Sequence, residues 1–229
     1  MRVLGRGWAV CYRDGMGYAK NLYGVILAAG ESSRMGRDKA LLPWPPPGAG
    51  SNPGETFLSA AIRLFAPYVD VVLVVVGKNE QNLAPIVYAN GASLIVNPDP
   101  DRGQFSSLKT GLQEVLSRGR DAAMITLVDR PPVRPGTIQT LEAALEQALH
   151  HRKWAVVPEY QGKHGHPILA GREMMEAFLR APDTSNAREV EHANQAAIEY
   201  LPVDDPLVAV NVDTPEQYAA LSAGARHAS

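Results

Sequence analysis

The chain is 229 residues long and carries 22 Lys and Arg against 24 Asp and Glu, a formal net charge of −2. That balance gives no electrostatic footprint for nucleic acid or a membrane surface, and the length suffices for one sizeable α/β core. The single cysteine, Cys11, excludes an internal disulfide and fits a reducing, cytoplasmic compartment.

Residues Met1 to about Asn21 have no strong period and read as a tail (1–21) ahead of a single domain over 22–229. The apolar run Trp8–Tyr12 is too short for a secretory core. Val25–Ala28 reads as a strand that ends at Ala29-Gly30 and runs into a polar loop in which Gly30 and Gly36 bracket two serines, Arg34 and Met35. Glycine and small residues let backbone N–H groups approach an anion, and Arg34 and Lys39 supply charge-assisted donors, so the implied ligand is a polyphosphate. The spacing is neither a P-loop nor G-x-G-x-x-G.

Trp44–Gly54 is rich in proline and glycine and reads as a loop. Thr56 is placed to cap a helix carrying Phe57, Leu58, Ala61, Ile62, Leu64 and Phe65 at helical spacing. Val69–Val76 reads as a strand buried on both faces, and its apolar core, Val71–Val76, is far shorter than the roughly 20 residues of a membrane helix. A helix over Gln81–Ala89, a strand over Ser93–Val96, a helix over Ser106–Leu116 and a strand over Ala122–Val128 follow. Ile138, Leu141, Leu145 and Leu149 mark a helix from near Pro135, and Trp154–Val157 and Pro167–Ala170 read as strands. Glu173–Leu179 and Thr184–Asn194 read as helices, Ala197–Val203 and Val208–Val210 as strands, and Pro215–Leu221 as a closing helix. This alternation predicts an α/β fold with a mostly parallel, doubly wound, Rossmann-like sheet and helices on both faces. Ligands of such sheets sit beyond the carboxyl ends of the strands.

The distinctive polar residues fall at those ends. Asp129 follows the Ala122–Val128 strand, where a carboxylate suits Mg²⁺ or an ordinary turn. Asp213 precedes Thr214-Pro215 and reads as a second metal ligand or as a helix N-cap. Ser106 and Ser107, after Gly103, suit a cap or a nucleotide contact. His166 in Gly165-His166-Pro167 reads as structural, and no Cys/His cluster of zinc spacing exists.

Leu27–Pro43, L-A-A-G-E-S-S-R-M-G-R-D-K-A-L-L-P, resembles the signature of the molybdenum cofactor nucleotidyltransferases, most closely the cytidylyltransferases; the guanylyltransferases usually carry L-A-G-G at its start. Three further segments are similar to family motifs. Asn97-Pro98 with Gly103, Ser106 and Ser107 resembles N-P-x-x-x-x-G-x-x-S-S, Gly165-His166-Pro167 matches G-H-P, and Asn211–Glu216 resembles D-I-D-T-P-E, with Asn211 in place of an aspartate. Val128-Asp129-Arg130-Pro131 resembles G-D-Q-P but replaces the glycine and the glutamine, and Ala181–Asn186 lacks the family's G-D-x-G. The resemblance spans about Leu22–Leu221 and implies a nucleotide-diphospho-sugar transferase type of fold that moves CMP from CTP to the phosphate of molybdopterin, with Mg²⁺ and release of pyrophosphate. It implies nucleotide binding by Leu27, Ala28, Ala29, Gly30, Ser33, Arg34, Gly36, Lys39 and Ser107, catalysis by Lys39, Arg34 and Asp129, and metal binding by Asp129 and Asp213, with Asn211 as the fallback. A molybdoenzyme or its chaperone would be the downstream partner. Guanylyl or sugar-phosphate nucleotidyl transfer, and a non-catalytic molybdopterin carrier, are the alternatives.

Overall fold

The computed structural model describes residues 21–30, 35–36, 38–46 and 54–225. The expected tail before Asn21 lies outside them. The strands are β1 (Leu22–Leu27), β2 (Val71–Val76), β3 (Ser93–Val96), β4 (Ala122–Leu127), β5 (Ala155–Tyr160), β6 (Lys163–His164), β7 (Ile168–Gly171) and β8 (Ile198–Pro202). The helices are α1 (Phe57–Phe65), α2 (Glu80–Ala89), α3 (Gln104–Ser117), α4 (Pro135–His150), α5 (Arg172–Arg180), α6 (Ala187–Ala193) and α7 (Pro215–Ala225). Among the described residues no helix is long and apolar enough to cross a membrane.

Every residue of β1 is buried, because successive strand side chains point to opposite faces and both faces are covered. Ile26, Val74, Val76 and Met124 pack with Leu58 and Ile62 of α1, Leu83 of α2 and Ile138 and Leu141 of α4. Val25, Leu27, Val75 and Ile125 pack with Phe105, Leu108 and Leu112 of α3 and with Met175 and Phe178 of α5. This two-sided burial is why these strands read as continuous apolar runs rather than as alternating ones.

The eight strands form one sheet in the order β3-β2-β1-β4-β7-β5-β6, with β8 also paired to β5. β1 is parallel to both β2 and β4, and β3 continues parallel beyond β2. The expected mostly parallel, doubly wound arrangement is present, with β7 inserted antiparallel between β4 and β5. The chain winds outward from β1 to β2 and β3 in one direction and to β4 in the other. Strand order therefore reverses at β1 and β4, whose last residues, Leu27 and Leu127, are register partners. A crevice opens beyond the carboxyl ends of strands at such a switch point, so the loops after Leu27 and Leu127 are brought together.

Two expected elements differ. Val208–Val210 is not a strand; Pro206–Ala209 forms a 3₁₀ helix instead. Asp205, only 1% exposed, accepts hydrogen bonds from Leu207 N (3.1 Å), from Arg134 N (2.8 Å) and from Thr137 Oγ1 (2.8 Å). One buried carboxylate thus caps this turn and satisfies the start of α4, and Pro206 occupies a first-turn position where its missing N–H costs nothing. The helix expected over Thr184–Asn194 begins only at Ala187, where Asn186 and Glu189 form a reciprocal capping box.

β6 and β7 lie along the same edge of β5, interrupted at Gly165-His166-Pro167. His166 N donates to Val208 O at 2.9 Å, and a Cβ on Gly165 would lie 2.1 Å from that same oxygen. The glycine is needed because a backbone carbonyl occupies the space of a side chain. Gly165→Ala is expected to destabilise the protein by about 1–3 kcal/mol, the scale of overpacking, seen as a lower urea midpoint; an unchanged midpoint would contradict the close approach.

Candidate active site

The loop after β1 is tied down at both ends by a residue that the sequence did not single out. Asn79, just past β2, donates through Nδ2 to Ala28 O (2.8 Å) and to Asp38 Oδ2 (2.7 Å), while its Oδ1 accepts from Gly77 N (3.1 Å). Asp38 Oδ1 in turn accepts from Ala40 N at 3.0 Å and caps the 3₁₀ helix Lys39–Leu41. The start and the end of the signature loop are therefore held together, and Lys39 is held facing the switch point. Ser33 and Arg34, both expected at the nucleotide, lie outside the described residues.

Lys39 is 8% exposed. Its Nζ lies 2.7 Å from Asp213 Oδ1 and 3.3 Å from Asp129 Oδ2, joining residues 174 and 90 positions away in the chain. A small apolar cluster makes this meeting happen. Met35 and Leu42 from the signature, Phe57 from α1 and Val212 and Tyr218 from the C-terminal segment pack together; the Phe57 ring lies 5.0 Å from Trp44 and 6.0 Å from Tyr218. Tyr218 Oη also donates to Pro43 O at 2.8 Å, and Val212 N donates to Asp129 O at 3.0 Å.

The turn and cap alternatives can now be judged by where the carboxylates point. The backbone N–H groups of Asp213 and Thr214 both donate to Gln217 Oε1, and Gln217 N donates to Thr214 Oγ1. Thr214 therefore caps α7, and the Asp213 carboxylate does not: it accepts from Lys39 Nζ and from Asn211 Nδ2. Asp129 Oδ1 and Asn211 Oδ1 are buried acceptors without a hydrogen-bond partner. These two open oxygens, beside the Asp213 carboxylate, make an oxygen-only donor set suited to a hard divalent cation. Among the described residues no group of three or more His, Cys, Asp or Glu could hold a metal, so a cation here would draw its remaining ligands from water and a phosphate-bearing ligand.

Two adjoining chambers share Leu27, Gly30 and Gln104. One, of about 340 Å³, reaches Ala29, Lys78 and Ser107; the other, of about 420 Å³, holds Lys39, Asp129, Arg130, Asn211 and Asp213. Ser107 is not a cap. The N-cap position of α3 belongs to Gly103, whose φ of 87° favours glycine, and the buried Ser107 hydroxyl accepts from Asn97 Nδ2 at 2.9 Å. Gln104 lines both chambers and was not apparent from the sequence; its only sequence signal is its place directly after that glycine.

A third recess of about 40 Å³ opens from the same Leu27 and Gln104, walled by Phe105 and Phe178 and carrying His166 and Glu191. Burial, reinforced by the Arg130 charge, pushes the His166 imidazole down to about 3, and its Nδ1 has no partner; it is a neutral, structural histidine. Burial pushes Glu191 up to about 7, against a smaller opposing effect of Arg188. Between its ordinary value of 4.5 and about 7 the folded state binds the Glu191 proton more tightly than the unfolded state does. Its contribution to stability is therefore full below about 4.5 and is lost as pH rises through about 7. His166 acts oppositely, its contribution being full above 6.5 and lost as pH falls toward about 3. In melting curves measured against pH, Glu191→Gln is expected to remove the loss of stability between about 4.5 and 7; a wild-type profile in the variant would contradict this environment for Glu191.

The chain is similar along most of its length to several known proteins. It is 24% identical over 197 residues to the molybdenum cofactor cytidylyltransferase of Escherichia coli K12, covering 85% of this chain and 92% of that protein. Against the purine catabolism protein PucB of Bacillus subtilis 168 it is 29% identical over 205 residues, covering 86% and 94%. Against the molybdenum cofactor guanylyltransferase of Xanthomonas euvesicatoria pv. vesicatoria 85-10 it is 29% identical over 199 residues, covering 86% and 93%. The crystal structure of Rv0371c from Mycobacterium tuberculosis H37Rv superposes with a TM-score of 0.71 at 25% identity, over 88% of this chain and 98% of that one. Its complex with manganese superposes at 0.67 and 22% identity, over the same shares. The family model described as MobA-like NTP transferase domain matches residues 24–198. With a switch-point cleft built from the signature loop, from Asp129 after β4 and from Asp213 ahead of α7, the chain belongs to the MobA-like NTP transferase family of nucleotidyltransferases.

Proposed function

We propose that this protein transfers CMP from CTP to the terminal phosphate of a molybdopterin-type acceptor and releases pyrophosphate, with Mg²⁺ as the cofactor. The observation that carries this reading is the Lys39 ammonium seated between Asp129 and Asp213 at the end of the phosphate-sized loop. The family supplies the reaction class, and the manganese complex of the M. tuberculosis structure supports a divalent cation.

The base and ribose are assigned to the chamber of Ala29 and Ser107, with the triphosphate passing Gly30 toward Lys39. Asp129 and Asp213, with Asn211, are assigned to the metal, which when bound would neutralise charge on the phosphate oxygens. Arg34 is the second cation by resemblance. In the transfer, an acceptor phosphate oxygen forms a bond to the α-phosphorus while the bond from that phosphorus to the bridging oxygen breaks and its electron pair leaves with pyrophosphate. A phosphate monoester is largely ionised at neutral pH, so no side chain has to remove a proton, in keeping with a cleft whose described residues pair no general base with a nucleophile. Holding two anionic reactants in line supplies about 7–11 kcal/mol of the barrier reduction, and Lys39 adds preorganised positive charge.

Guanylyl transfer is the second reading, because identity to the Xanthomonas guanylyltransferase, 29%, is no lower than the 24% to the E. coli cytidylyltransferase. The signature favours CTP, since Ala29 stands where the guanylyltransferases usually carry glycine. A pyrophosphate-release assay crossing CTP, GTP, ATP and UTP with and without molybdopterin separates the readings. Molybdopterin-dependent release with CTP is expected, and release with GTP alone would overturn the CTP assignment.

Lys39 occupies the carboxylates assigned to the metal, so ammonium and metal compete. Lys39→Met is expected to bind Mn²⁺ about tenfold more tightly without nucleotide, read by the electron paramagnetic resonance signal of free Mn²⁺. The same variant should lose about 10²–10³-fold in turnover. Weaker Mn²⁺ binding in that variant would sink the shared-site assignment.

A further inference from the structure

Arg130 is where this chain departs from the G-D-Q-P motif, and its surroundings are unusual for a guanidinium. It follows β4 at the switch point and is partly buried. Its Nη1 donates to Val210 O at 3.1 Å, whereas its Nε is buried with no hydrogen-bond partner. Among the described residues it forms no ion pair. The neighbouring Asp129 carboxylate does not serve it, because that group turns to Lys39. Of the five N–H donors in its planar fork, one meets a carbonyl and the buried Nε meets nothing, and a partly desolvated charge with an unmet donor favours an anion beside it.

The position of this charge selects the anion. Arg130 lines the chamber of Lys39, Asp129 and Asp213 and is absent from the chamber of Ala29, Lys78 and Ser107. It therefore stands at the end of the cleft away from the proposed base and ribose, beside the carboxylates where the reacting phosphates meet. A planar fork matches two oxygens of one phosphate. We infer that Arg130 is a specificity-determining residue that receives the phosphate monoester of the acceptor and holds its oxygen toward the α-phosphorus. This rests on the nucleotidyl-transfer reading and adds to it a binding group for the nucleophile, one that a glutamine at the same position would supply without charge.

A purely structural role is the competing explanation, since the Arg130 bond to Val210 and the Val212 bond to Asp129 O together join the two aspartate-bearing segments. The test is calorimetric titration of phenyl phosphate into the full chain saturated with Mg²⁺ and α,β-methylene-CTP. Wild type is expected to bind saturably, Arg130→Gln and Arg130→Met to bind about 10–100-fold more weakly, the scale of a lost charge-assisted contact, and Arg130→Lys to recover part of the loss. Affinity for α,β-methylene-CTP should stay within about twofold throughout, because a group serving only the acceptor leaves nucleotide binding alone. Equal phenyl phosphate binding by wild type and Arg130→Gln, absence of binding by wild type, benzoate binding as tightly as phenyl phosphate, or a parallel loss of nucleotide affinity would each overturn the inference. The nucleotide panel reports on transfer and the titration on Arg130. A chain that binds phenyl phosphate through Arg130 but releases no pyrophosphate sinks the reaction assignment and keeps the anion site.

Discussion

The contact on which the cleft depends is the Lys39 ammonium between Asp129 and Asp213. Two carboxylates brought this close repel one another, and in a cleft screened from water that repulsion is larger than at the surface. The buried ammonium compensates part of it, leaving the three groups with a net charge of −1. The unpartnered oxygens Asp129 Oδ1 and Asn211 Oδ1 leave room for more positive charge. The cluster is thus folded around a cation of its own while remaining suited to another.

Holding such a cluster requires rigid supports from three distant parts of the chain, and each has a distinct physical source. The parallel pairing of β1 with β4 aligns Leu27 with Leu127 and so fixes the two loop origins. Asn79 closes the signature loop onto β2. The Met35, Leu42, Phe57, Val212 and Tyr218 cluster brings the C-terminal segment onto that loop by burying apolar surface. Electrostatics then selects the final geometry within a frame that packing has already built.

Arg130, His166 and Glu191 show how one substitution relative to a motif propagates. The Arg130 charge joins burial in keeping His166 neutral, and the neutral ring sits in a recess whose other polar end, Glu191, is itself pushed toward neutrality by burial. That recess therefore has apolar walls and polar groups held toward neutrality, a different environment from the adjoining chamber that holds Lys39, Asp129 and Arg130.

The sequence by itself determined the class of fold. Apolar runs such as Val71–Val76, alternating with segments of helical period, require a sheet covered on both faces, and the glycine-bracketed loop with Lys39 was legible as a candidate phosphate loop because those residue types act through local backbone geometry. Asp129 and Asp213 were legible as candidates, yet each had an equally local alternative as a turn or cap. Only the tertiary structure showed which partners they take, since a carboxylate's partner depends on which distant segment folds beside it; Gln217 and Thr214 satisfy the start of α7, and the Asp213 carboxylate turns to Lys39 instead of capping the helix. The 3₁₀ turn at Pro206–Ala209 escaped the sequence for the same reason, because the strand-like Val208–Val210 is overruled by the buried Asp205, which also receives the N–H of Arg134 from 71 residues away. Asn79 and Gln104 escaped it because their roles come from position at the switch point, which no local period or motif encodes.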